Sequence, residues 1–165
     1  MASPAVRLTP TPTPRPDATP AVGLVVLIGP DFVALGGNLA LQTGERVVTL
    51  AGVQPAIVTA AQLTQVEGTA QAVVVQVLAG AETTVRTQAA LVVVKARWPA
   101  AKLVFVGPLS SGDRQSSVAV KTAAVGDNVT FLDPVLLKWR VEDTSAVVTT
   151  ADRVVLTAKL AGALA

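Results

Sequence analysis

The chain has 165 residues, 51% of them apolar and 3% aromatic, with a net charge of +2 and an isoelectric point near 9.4. It contains no Cys, no His and no Tyr, which excludes disulfides, zinc–thiolate sites, thiol nucleophiles and any mechanism run by an imidazole base. Its basic residues are scattered and its stacking aromatics few, which argues against nucleic-acid binding.

Residues 1–21, MASPAVRLTPTPTPRPDATPA, are rich in Pro and Thr. Pro removes backbone donors and favours extended polyproline conformations, so this stretch is expected to be a disordered tether ahead of a domain over 22–165. The remaining length suffices for one domain with its own core. Mean hydropathy is high at +0.57, with Val and Ala carrying much of it. Even so, no uninterrupted apolar run approaches the roughly 18 to 20 residues of a membrane span. No basic-then-apolar leader opens the sequence either, so neither a span nor an export signal is expected.

Apolar, β-branched runs then alternate with helix-compatible stretches. Strands are predicted over Leu24–Ile28, Arg46–Leu50, Ala72–Val77, Lys102–Val106 and Val129–Leu132. Helices are predicted over Val33–Gln42, Pro55–Val66, Thr84–Trp98, Arg114–Ala124 and Asp152–Leu164. Strands that are apolar throughout, separated by helices, imply a parallel sheet covered on both faces. The expected fold is a flavodoxin-like three-layer α/β/α sandwich with a five-stranded parallel sheet, in order 2-1-3-4-5. Val92, Val93 and Val94 cannot all face the core from one helix, because consecutive residues stand about 100° apart. At least one is expected in solvent, making a sticky surface and self-association an expectation.

In such a sheet, ligands bind beyond the carboxyl ends of the strands, near the switch in strand order. The residues expected there are Gly29-Pro30-Asp31, Ala51-Gly52-Val53 and Leu78 to Glu82, with 107–113 and Asp133 on the same edge. The glycines Gly29, Gly52 and Gly80 suit tight turns. Asp31 most simply caps the helix after it. Asp152 suits the start of the last helix, and Glu82 the start of the third, where carboxylates complement the helix dipole. Asp113 and Asp133 join Asp31 in no metal-ligand spacing, so no metal and no cofactor is implied. Trp98 and Trp139 are expected to pack rather than bind. Ser110 and Ser111 lie in an edge loop, while Ser116, Ser117 and Ser145 are expected at caps or on the surface.

Several blocks, taken in order, resemble the SGNH hydrolases, also called the GDSL esterase/lipase family. LVVLIGPDF stands where that family has a strand running into Gly-Asp-Ser-Phe. RVVTLAGVQPAIVT and AVVVQVLAGAETT resemble its second and third blocks, and TADRVVLTAKLAGALA its closing one. The resemblance spans about 22–165. It implies a serine acylhydrolase fold acting on a small ester, lipid or carbohydrate ligand, in a secreted or cell-surface setting. The catalytic residues are replaced. The family's nucleophilic Ser falls on Asp31, its oxyanion-hole Asn on Gly80 and its catalytic His on Val155. The oxyanion-hole Gly is kept as Gly52 and the triad Asp as Asp152. An activated hydroxyl, a base and oxyanion donors are all needed for this chemistry, so activity is expected to be absent or very weak. Two other readings of the same residues are a binding module that uses the crevice without chemistry, and an unrelated flavodoxin-like domain with Asp31 as a functional carboxylate.

Overall fold

A computed structural model of the chain describes residues 23–29, 32, 36–50, 58–77, 80–108, 114–133 and 150–165. The predicted tether, Pro30, Asp31, Gly52, Ser110, Ser111, Asp113, Trp139 and Ser145 lie outside them. Five strands form one all-parallel sheet: β1 (Leu24–Ile28), β2 (Arg46–Leu50), β3 (Ala70–Gln76), β4 (Lys102–Val106) and β5 (Val129–Leu132). Their spatial order is β2-β1-β3-β4-β5, as the alternation of elements implied. The helices are α1 (Gly36–Thr43), α2 (Ala60–Thr64), α3 (Thr83–Arg97), α4 (Arg114–Ala123) and α5 (Thr150–Leu164).

Side-chain alternation sorts the strands' residues to two faces. Val26, Ile28, Val73, Val75, Leu103 and Phe105 pack with Leu63, Val94, Trp98 and Val120 from α2, α3 and α4 or their ends. Val25, Leu27, Ala72, Val74, Val104 and Val106 pack with Leu39 of α1 and Leu156 and Leu160 of α5. That is the three-layer sandwich. Between Leu24 and Val25 the pairing of β1 with β3 slips, from Ala70 to Ala72. The slip lets Ala70 join the same face as Val73. The interior strand β1 is buried along its whole length. The edge strands β2 and β5 are only half-buried beyond the exposed Arg46, because each has one neighbour and less helix above it.

α3 buries Thr83, Thr87, Ala90 and Val94, a stripe at helical spacing. Thr87 satisfies its hydroxyl by donating to the Thr83 carbonyl at 2.8 Å. Val94 is fully buried while Val92 is 67% exposed, as the crowding of three valines required. Trp98 is buried and its indole N–H donates to the Gly68 carbonyl at 3.1 Å, so it packs as expected.

Two expectations are corrected. The second helix is not one unbroken run over Pro55–Val66: Thr59 is extended and caps a helix that begins at Ala60. The Thr59 hydroxyl accepts from the Gln62 N–H at 3.3 Å, and the Gln62 side chain accepts from the Thr59 N–H at 3.0 Å. This reciprocal pair is a capping box, and it fixes the boundary. Ser116 and Ser117 are not surface residues; both are buried on the inner side of α4. Small side chains at these positions suit the close approach of α4 to α3.

The Ser117 hydroxyl is buried and makes no hydrogen bond among the described residues. A buried polar atom left unpaired is costly, and alanine is the better helix former. Ser117→Ala is therefore expected to stabilise the fold by about 1 kcal/mol, read as a rise in the urea midpoint at unchanged slope. A fall in the midpoint would mean that the hydroxyl does bond in solution.

Candidate functional site

The strand order reverses between β1 and β3, so the crevice of this fold opens at their carboxyl ends. Backbone bonds carry the sheet one residue past its strands at this edge. The Gly29 N–H donates to the Leu50 carbonyl at 3.1 Å, Val77 to Val106 at 2.9 Å, and Gly107 to Leu132 at 3.0 Å. The Phe32 N–H then turns back to the Gly29 carbonyl at 3.3 Å. Phe32 is fully buried with the α1 and α5 side of the core. The turn after β1 is thus pinned on both sides, by a ladder bond at Gly29 and by an aromatic anchor at Phe32.

Gly29 is held by sterics. A Cβ placed there would lie 2.5 Å from the Cβ of Gln76 and 2.6 Å from its Oε1. Gln76 is the last residue of β3 and is buried, an amide set at the switch point after three buried valines. It was absent from the sequence-based candidates. Its signal is in the sequence nonetheless: a lone Gln between Val75 and Val77 in a run of β-branched residues.

The third glycine is held by its backbone. Gly80 has φ +145, and a Cβ there would meet nothing within 4 Å. The constraint is conformational, since L side chains rarely adopt this φ. Around Gly80 the local bonds are dense. The Thr83 hydroxyl donates to the Gly80 carbonyl at 2.7 Å, and the Gly80 N–H donates to the Ser116 hydroxyl at 3.4 Å. Glu82 is the N-cap residue of α3 but makes no capping bond with its side chain. Its carboxylate instead accepts from Arg86 at 3.1 Å, an exposed pair one helical turn apart worth a few tenths of a kcal/mol.

The other candidates separate. Asp152 falls in the first turn of α5. Val155 follows in the same helix and is 38% exposed, a valine facing solvent beside the buried Leu156 and Thr157. Asp133 sits half-buried directly after β5. Among the described residues no three carboxylates gather where they would hold a metal ion. No described helix is long and apolar enough to cross a membrane.

No protein-family model matches the chain, and no curated protein matches it. Among solved structures it is similar to a carbohydrate esterase family 2 enzyme with a carbohydrate-binding domain, from Corynascus thermopiles (Myceliophthora fergusii). The TM-score is 0.60 at 15% identity, over 93% of this chain and 69% of that one. Such esterases belong to the SGNH hydrolase superfamily, and at this identity the likeness carries the fold alone. The sheet order, the two helical layers and this neighbour together give the chain the α/β sandwich fold of the SGNH hydrolases.

Proposed function

We propose that this domain is an SGNH-fold module that no longer hydrolyses esters and binds a carbohydrate-type ligand at the carboxyl edge of its sheet. The observation that carries the reading is Val155. It stands where the resemblance puts the catalytic His, it faces solvent on α5, and no other His exists in the chain to take its place. Gly80 supports the same reading. It stands where the resemblance puts the oxyanion Asn, in a backbone conformation that an Asn side chain would strain. Without nucleophile, base or side-chain oxyanion donor, the differential stabilisation of a tetrahedral intermediate is lost. The carbohydrate esterase neighbour favours a saccharide as ligand class and an extracellular setting.

The test is hydrolysis of p-nitrophenyl acetate by the native chain and by a rebuilt one carrying Pro30→Asp, Asp31→Ser, Ala81→Asp and Val155→His. The native chain is expected at the buffer rate and the rebuilt chain above it. Adding Gly80→Asn is expected to cost about 1–3 kcal/mol of stability, so it is assayed separately. Turnover by the native chain, abolished by Asp31→Asn, would overturn the reading and make Asp31 the reactive carboxylate.

A further inference from the structure

Each charged side chain of α3 is tied down beside the helix rather than held out in front of it. Arg86 bonds to Glu82 one turn back at 3.1 Å. Lys95 donates to the carbonyls of Ala101 and Asp127, both at 3.1 Å. Arg97 lies over the Trp98 ring at 5.4 Å and donates to the Val66 carbonyl at 3.5 Å. What the helix turns to solvent is an uncharged stripe at helical spacing: Val85, Gln88, Val92 and Ala96, with Ala89 beside it. Val85 and Val92 are 66% and 67% exposed, on the face where the helix of a solitary domain carries its charges.

α4 continues this face. It packs along α3, and Thr84 and Gln115 line one groove, so the two helices start level. Val118, one turn beyond Gln115, therefore stands level with Gln88, one turn beyond Thr84. It too points outward, 62% exposed.

The stripe on α3 reads the same from either end: Ala81 in the turn before the helix, Val85, Gln88-Ala89, Val92, Ala96. A two-fold interface requires this property, since each position must suit its mirrored position on the other copy. With the axis between Gln88 and Ala89, Val85 of one copy meets Val92 of the other, and Ala81 meets Ala96. The two Gln88 amides meet at the axis, where each can donate to and accept from the other. Charge agrees with the antiparallel sense. Glu82 precedes the first turn, and Lys95 and Arg97 occupy the last. Antiparallel pairing brings each Glu82 to the basic end of the other helix and opposes the two helix dipoles.

We propose that the outer face of α3 and α4 is the interface of a weak homodimer, in which two α3 helices pack antiparallel across a two-fold axis at Gln88. The face measures about 20 Å along α3 and about 20 Å across both helices, roughly 400 Å² per copy where a standard interface uses about 800 Å². Such an area supports a reversible dimer rather than a permanent one. It is separate from the strand edge to which the ligand is assigned, and neither reading needs the other.

Sedimentation velocity is run on the full-length chain from about 10 μM to about 1 mM, which brackets the affinity of so small a face. Val85→Lys and Val92→Glu are run singly and as an equimolar mixture. Both positions are exposed, and unchanged urea midpoints show that the variants keep the fold. The native chain is expected to shift from monomer to dimer across the range. Each variant alone is expected to associate at least tenfold more weakly, because a charge is set against a valine without a partner. The mixture is expected to recover the dimer, since the new ammonium at position 85 then meets the new carboxylate at position 92. A native chain that stays monomeric throughout would overturn the proposal. So would variants that dimerise like the native chain, which would move the contact to another face, such as the one carrying the exposed Leu41. Loss in both variants without recovery on mixing would overturn the antiparallel two-fold pairing. Flotation of a monomeric chain with phosphatidylcholine vesicles, abolished by Val92→Glu, would give the face to a lipid surface instead.

Discussion

Gly29→Ala is expected to lower the unfolding free energy by about 3 kcal/mol, the upper end of what one added methyl costs in a tightly packed place. The added Cβ would sit 2.5 Å from the Cβ of Gln76, closer than real carbon atoms approach. A Cβ cannot swing aside as a flexible chain end does, so relief requires β1 and β3 to part at their carboxyl ends. Those strands are held in register from Val25 with Ala72 to Ile28 with Val75, and Gly29 is further bonded to Leu50. Gln76→Ala removes the Oε1 clash but keeps the Cβ, so it should not rescue Gly29→Ala. Gly162→Ala is the matched control. A Cβ there meets nothing within 4 Å, on an exposed turn of α5. It is expected to stabilise by about 0.5–1 kcal/mol through helix propensity and a less disordered unfolded chain. Urea unfolding of the three variants measures all of this. Native stability in Gly29→Ala would show that the turn opens freely, and the crevice could not then be a preorganised one.

The sequence carried the scaffold further than the site. Each strand carries consecutive residues drawn from Val, Leu, Ile and Phe rather than a strict apolar–polar alternation, so burial on both sides, and hence parallel order, could be read directly. The start of α2 was equally legible but read wrongly: Thr59-Ala-Ala-Gln62 is the capping-box pattern, whereas the apolar residues before it were extended into helix. α4 was harder. Its buried stripe is Ser116, Ser117 and Val120, while Val118 faces solvent. Polarity points outward for the serines, and only the short distance between two helices makes small residues the right inner choice. The site itself depends on contacts between distant segments. That Gln76 closes over Gly29, and that Ser116 reaches the Gly80 amide, are facts of packing which no local pattern encodes. The residues matched to the catalytic Ser and His were legible as absences, since a His-free chain needs no coordinates to exclude an imidazole.

Phe105→Ala tests the layer that holds this edge together. Phe105 is fully buried in β4, paired in register with Val75 on one side and Phe131 on the other. It belongs to the same apolar cluster as Val94, Trp98 and Val120, so it sits beneath α3 and α4. Truncation removes the ring's burial and leaves a cavity that a packed sheet fills poorly, at a cost of about 3–5 kcal/mol. Domains of this size hold about 5–15 kcal/mol in all, so the variant keeps little margin. At about 2–4 °C per kcal/mol, its thermal midpoint should fall by roughly 10 °C or more. Phe131→Ala, on the half-buried edge strand, removes the same atoms from a site that water already reaches. It is expected to cost about half as much, since less apolar area returns to solvent. The ratio of the two losses discriminates where their absolute sizes do not. A clear excess at Phe105 places the structural weight under α3 and α4. Equal losses would mean that β4 is no better covered than the edge strand, against the burial that its position under α3 and α4 gives it.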